Sequence, residues 1–324
     1  MPTYTGISSE AFRHPLDKQA EQTLRSVPGF DILARTFVEY LYERPQQIFH
    51  LGNSIQVGPR QYSSLYGMFR ECVQDLDVSP QPSLFVSQNP QVNSYALGHE
   101  RPYIVVNTGL LDLLEEVEIR TVLAHELGHV KCEHTILIQM AIWAMGAASL
   151  LGEITLGLGN LISSGLIYAF HEWRRKAELS ADRAALLVTD DLKPIVHTMM
   201  KLAGGSSRYA NECSINEFIR QAEKYAQDEE NLNQIYKFLL YNGGKGTFLT
   251  HPFPVERLHF IKSWFTSAEY ENIRQGNYPR VGFEGTVEVN SETQESEAEI
   301  LRRQIAELEA EIERIKSRQN TSQE

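Results

Sequence analysis

The stretch His125-Glu126-Leu127-Gly128-His129 constrains this chain more than any other. Two histidines four apart share one face of an α-helix, about one turn or ~6 Å from each other. At that spacing two imidazoles reach a single tetrahedral cation, and the intervening glutamate points toward a water in the cation's open position. Val117, Val122, Leu123, Leu127 and Val130 give the stretch an apolar side, so the spacing predicts a helix packed on a core. The alternative is a structural histidine pair on an ordinary amphipathic helix. A catalytic cation needs a third protein ligand. A histidine-rich extension of the motif would place it at position 135, which is Thr135; His134 is off that register and reads as a polar neighbour. The better candidate is downstream, where Glu178 and Asp182 lie four apart in a helical stretch. Glu178 completes a two-His, one-Glu site, and Asp182 can accept from the far nitrogen of a ligand histidine and so fix its tautomer. Read alone, the same pair is a solvated helix face with Arg175 and Arg183 as local partners.

The rest of the chain sets bounds. With 324 residues, 42% of them hydrophobic, it can bury a sizeable core in one large domain or two small ones. A formal charge of -12 argues against nucleic-acid binding, which needs a basic footprint. Residues 291–324 hold nine Glu against five Lys or Arg, so part of that acidity is local. Cys72, Cys132 and Cys213 are odd in number and form no C-x-x-C, which speaks against a disulfide framework and for a reducing compartment. The N-terminus has no basic start followed by an apolar run, so a cleaved secretory signal is not expected.

Periodicity predicts a mainly α (α+β) protein. Residues 1–60 read as an N-terminal helical extension and 61–275 as the main domain. "SLFVS" and "PYIVVN" are short β-rich runs bounded by Pro, Asn and Gly, and predict a small sheet beside the His125 helix. Residues 136–170 are strongly apolar, with Glu153 their one charge. They divide into two runs of about 17 residues, the lower edge of a membrane span. Lys131 on one side and Arg174, Arg175 and Lys176 on the other would place both ends in the cytoplasm, giving a membrane-associated protein with a cytoplasmic site. A buried hairpin in a soluble cytoplasmic protein is the other reading. Residues 276–290 read as a linker. In 291–318 Ala298, Ile305 and Ile312 fall at one heptad seam position and Leu301, Leu308 and Ile315 at the other, which predicts a coiled coil able to form a homodimer, or else a solvated single helix.

The run "HELGHVKCEH", then "AELSADR", then "THPFPVERL", resembles the zinc metallopeptidases of the CAAX prenyl protease and HtpX heat-shock protease type over roughly residues 60–265. The resemblance implies a zincin-like helical domain holding one Zn2+ per chain on His125, His129 and Glu178, with Glu126 as general base and Asp182 supporting a ligand histidine. It also implies that His251 stabilises the tetrahedral intermediate and that Arg257 braces the site. Asn93, Tyr95 and Ala96 match that family's strand motif, and imply contact with substrate; Ser94 departs from it slightly. The prenyl proteases' multi-span membrane core has no counterpart here, which speaks against CAAX processing. The expected activity is hydrolysis of unfolded or flexible protein segments in quality control, with substrate extended along an edge strand near Tyr103–Asn107. The competing expectation is an assembly protein whose coiled tail and apolar hairpin do the work around a structural metal. Glu126 favours the enzyme, because a structural site has no use for a base beside its ligands.

Overall fold

Tyr103–Asn107 buries all five of its residues, which places it in the interior of a sheet rather than at an edge. The computed structural model describes residues 3–27, 29–30, 34, 43–142, 158–230, 240–241 and 251–281. In chain order its helices are α1 (Pro15–Ser26), α2 (Glu43–Asn53), α3 (Ser63–Asp75), α4 (Thr108–Leu113), α5 (Glu116–Lys131), α6 (Leu158–Thr189), α7 (Leu192–Gly204), α8 (Ile215–Glu230), α9 (Pro254–Phe265) and α10 (Ala268–Arg274). Its strands are β1 (Ile55–Gln56), β2 (Ser83–Ser87), β3 (Ser94–Leu97) and β4 (Tyr103–Asn107). The chain is mostly helical with one small sheet, as its periodicity implies.

The sheet order is β1-β2-β4-β3. β2 and β4 are parallel, and β3 lies antiparallel on the outer side of β4. The substrate edge expected near Tyr103–Asn107 is therefore displaced by one strand: β4 is flanked on both sides, and β3 is the edge. The physical sign is the unbroken Tyr-Ile-Val-Val run, which lacks the alternation of a half-exposed strand. Ile104 and Val106 enter a core built with Leu84, Val86, Ala96, Phe69, Leu123 and Leu127. Tyr103 and Val105 enter a second core with Phe85, Leu97, Leu137, Phe170 and Trp173. Each fully buried aliphatic side chain contributes about 1.5–3 kcal/mol.

Three local features set the two helices that matter most. α5 begins with a capping box, in which the Glu118 carboxylate accepts from the Glu115 N–H at 2.8 Å. α5 ends where Glu133 takes a left-handed φ of 58°, and the chain re-enters helix at 134–142. Between these ends α5 lies against α6 at Gly128, where a Cβ would stand 2.7 Å from Ala184 Cβ and 3.0 Å from Ala181 Cα. That close approach brings the polar faces of the two helices together.

Residues 1–281 form one compact unit, and Tyr4, Ile7 and Phe12 are part of the first core. The apolar stretch expected to form a hairpin over 136–170 lies outside the described residues at 143–157; its last part, 158–170, is the start of α6. Among the described residues no helix is long and apolar enough to cross a membrane. The expected coiled coil, 291–318, also lies outside the described residues.

Candidate metal centre and active-site cleft

α5 presents His125 and His129, and α6 presents Glu178. Their ligating atoms all lie within 4.8 Å of one another. His125 Nε2 stands 3.2 Å from Glu178 Oε2, and His129 Nε2 stands 3.5 Å from Glu178 Oε1. A tetrahedral ion with bonds of about 2.1 Å has ligand-to-ligand edges of about 3.4 Å, so these separations fit one. Glu178 Oε2 is buried and makes no well-aligned hydrogen bond; its polar neighbours are His125 Nε2 at 3.2 Å and Arg257 Nη1 at 3.5 Å. A carboxylate oxygen left in that state normally has a cation partner. The donor set and the underbonded Glu178 oxygen both fit a bound metal.

The far side of each histidine is also held. His125 Nδ1 lies 3.0 Å from Asp182 Oδ1. Asp182 in turn accepts from Arg257, Nε to Oδ2 at 2.8 Å and Nη2 to Oδ1 at 2.5 Å, a two-pronged contact. Burial alone would lower the pKa of His125, but its hydrogen bond to Asp182 and its close contact with the Glu178 carboxylate outweigh it and push the value up to about 9. Burial would likewise raise Glu178, yet the imidazoles of His251, His125 and His129 hold its carboxyl well below the usual range.

His129 Nδ1 lies 3.0 Å from His134 Nδ1, and His134 Nε2 lies 3.0 Å from Asp17 Oδ2 on α1. Asp17 also accepts from Ser180 Oγ at 2.7 Å and from Arg13 Nε at 2.8 Å. The N-terminal helix thus reaches the metal centre through a buried side-chain chain. The sequence reading missed it: His134 read as a polar neighbour, and Asp17 was not singled out.

Glu126 lies in the same cleft, and Ser94 Oγ donates to its Oε1 at 2.6 Å. Ser94, the one departure in the strand motif, is thereby the β3 residue that touches the acid. Asn93 lines the cleft with it, while Tyr95 and Ala96 turn elsewhere: Tyr95 Oη is 3.5 Å from His50 Nε2, and Ala96 is in the core. His251 and Arg257 are both at the cleft. His251 Nε2 is 3.5 Å from Glu178 Oε1, and its ring is 43% exposed, so it faces the open space. Glu178 favours its protonated form, but burial and the positive charges of Arg174, Arg257 and His125 prevail and lower its pKa. The cleft is a cavity of about 270 Å³ whose floor is apolar, with Leu110, Val122, Ile195, Met199 and Leu202 beside the polar cluster.

A cluster able to hold a cation, a buried acid beside it and an edge strand along the opening suit hydrolysis of an extended peptide. Comparison with known proteins points the same way. The family model described as peptidase family M48 matches residues 59–265. Plastoglobule-localized metallopeptidase 48, a chloroplastic protein of Arabidopsis thaliana, is 34% identical over 273 residues, covering 83% of this chain and 76% of that one. A protease HtpX homolog of Methylibium petroleiphilum is 24% identical over 246 residues, covering 70% of this chain and 83% of that one. No solved structure matches. With residues 59–265 matched, and with a His125, His129 and Glu178 cluster that could hold a metal ion, the chain belongs to peptidase family M48 and is a metalloprotease.

Proposed function

We propose that the metal is zinc, one ion per chain on His125, His129 and Glu178, and that the enzyme cuts within unfolded or flexible protein segments in a quality-control role. Two neutral imidazoles and one carboxylate with an open fourth position suit zinc by ligand type. When bound, the ion supplies Lewis acidity toward the scissile carbonyl and the attacking water. The remaining work belongs to side chains on the page. Glu126 takes a proton from the water and returns it to the leaving amine, a role worth about 10²–10⁴-fold. Ser94 holds the Glu126 carboxylate toward the cleft at 2.6 Å. His251, half-exposed at the cleft, donates to the developing oxyanion. Asp182 and Arg257 fix the His125 ring, and the apolar floor receives an apolar substrate side chain. Asn93, Tyr95 and Ala96 belong to the edge segment along which the substrate extends, and that geometry favours flexible chains over compact folds.

The observation that carries this reading is the convergence of the buried Glu178 carboxylate with both histidine Nε2 atoms, beside a hydrogen-bonded Glu126. The apolar stretch 136–170 would attach the domain to a lipid surface with its cleft in the cytoplasm, and 291–318 would pair two copies. The plastoglobule-localized relative supports the attachment, though not the cytoplasmic placement. The domain reading, 61–275 for the peptidase with 1–60 as extension and 276–290 as linker, goes with the same proposal. The test is cleavage of an unfolded protein by zinc-loaded enzyme beside Glu126→Gln. Cleavage by the parent and none by the variant, with zinc content equal, is the expected result. Equal cleavage by both would remove Glu126 from the mechanism.

A further inference from the structure

Asn93 and Ser94 line two cavities. One is the catalytic cleft. The other, of about 490 Å³, lies further along β3 and is walled by Tyr95, Tyr103, His50, Ile138, Ile142 and Arg174 among others. Of the described residues that line it, Arg174 alone carries a full charge, and none is a carboxylate. Arg174 Nε is sealed from solvent and has no hydrogen-bond partner. The side chain forms no ion pair among the described residues. A guanidinium keeps its charge under burial, so one with its Nε taken from water normally has an anion nearby. The carboxylates whose charge Arg174 feels are Glu178 and Glu126. Glu178 is committed to the metal centre, and Glu126 to Ser94 and to proton transfer. Neither is a dedicated partner.

Placement says where the missing anion would come from. Arg174 is one helical turn before Glu178 on α6, about 6 Å along the axis. β3 runs from the catalytic cleft, at Ser94, to the second cavity, at Tyr95 and Leu97. It is the edge strand, so a peptide can add to it. At about 3.3 Å per residue, a side chain roughly two residues from the scissile bond would reach the second cavity. Its aromatic and aliphatic walls lower the local polarity around the sealed Arg174 Nε, which strengthens a charge pair made there.

We infer that Arg174 and this cavity form a subsite for a peptide carboxylate, making the enzyme selective for an acidic group about two residues from the cut. The inference rests on the peptidase reading of the adjoining centre. The carboxylate can come from an internal Asp or Glu side chain or from the end of the substrate chain.

The experiment uses zinc-loaded full-length protein and one peptide sequence carrying Glu, Gln or Lys at each position within three residues of the cut, each as free acid and as C-terminal amide. Glu should exceed Gln in kcat/KM by about tenfold or more at one position, the scale of one charge-assisted pair. Arg174→Gln should bring that ratio to near one, Arg174→Lys should keep part of it, and Arg174→Glu should turn the preference toward Lys. A preference for free acid over amide, lost in Arg174→Gln, would assign the carboxylate to the substrate's end. Fluorescent versions of the peptides binding to Glu126→Gln and to its double variant with Arg174→Gln give the same comparison without turnover. Absence of cleavage by the parent would sink the peptidase reading, while the binding series still decides the subsite. Equal handling of Glu and Gln at every position, and of acid and amide, in both turnover and binding would overturn it.

Discussion

His129 Nδ1 and His134 Nδ1 face each other at 3.0 Å, and this contact settles which nitrogen of His129 is available to a metal. Asp17 accepts at its end of the chain, so His134 Nε2 carries the proton. Burial, the largest influence on His134, lowers its pKa and keeps the ring neutral. Its Nδ1 is then an acceptor, and His129 Nδ1 must be the donor. The lone pair on His129 Nε2 is left pointing at Glu178. Partners of this kind typically hold about 10–100-fold of metal affinity. His134→Ala should weaken zinc binding by that amount, measured by competition with a chromophoric chelator, and Asp17→Asn should weaken it less. Undiminished affinity in His134→Ala would show that the chain of contacts only fills space.

Metal uptake should release a proton. The His125 pKa stands at about 9 in the metal-free protein, above its ordinary value. A raised value stabilises the metal-free fold fully below pH ~6.5, and that stabilisation fades as pH rises through about 9. Zinc needs the same Nε2 lone pair, so below pH 9 affinity should fall about tenfold for each unit of acidification. Calorimetric titration at pH 7.5 in buffers of different ionisation enthalpy should report about one proton released. Zero release would mean that His125 is already neutral.

Arg257 makes the reverse kind of contribution. Burial alone would raise the Asp182 carboxyl, but Arg257, followed by His125, holds it below its ordinary value. A depressed carboxyl stabilises above pH ~4 and loses that effect as pH falls. Arg257→Gln strands a buried carboxylate and should cost about 3 kcal/mol at pH 7. The gap between the urea midpoints of parent and variant should be widest near neutrality and should narrow below pH ~4. A gap constant with pH would assign the loss to packing.

What the sequence disclosed about this site depended on distance along the chain. The pairs His125–His129 and Glu178–Asp182 are legible because a helix turns residues four apart onto one face. The strands at Ser83–Ser87 and Tyr103–Asn107 are legible as β-rich runs between turn residues. The edge was placed near the second of them, whereas both are flanked and the edge is Ser94–Leu97; the unbroken apolar run of β4 carries that information. Asp17 could not have been assigned, because its partner His134 is 117 residues away and nothing in a first-turn aspartate marks it. Arg174 was read as part of a basic flank to a membrane segment. Only the packed helix shows its Nε sealed from solvent beside a cavity. Tertiary approach, not local pattern, assigned both.

Gly128 is where fold and site meet. It sits inside the metal-binding motif, but its function is steric, since a methyl group there would stand 2.7 Å from Ala184 Cβ. Helix propensity by itself favours Gly128→Ala by about 0.8–1 kcal/mol. Overpacking between two close helices costs about 1–3 kcal/mol. The clash should win, because Ala184 and Ala181 belong to a buried helix with little room to yield. Separating α5 from α6 also pulls His125 and His129 away from Glu178, so stability and metal affinity should fall together. Gly128→Ala should lower the urea midpoint of the metal-free protein and weaken zinc binding in the same variant. A variant more stable than the parent, with zinc affinity intact, would show that the two helices can separate at that point without opening the metal centre.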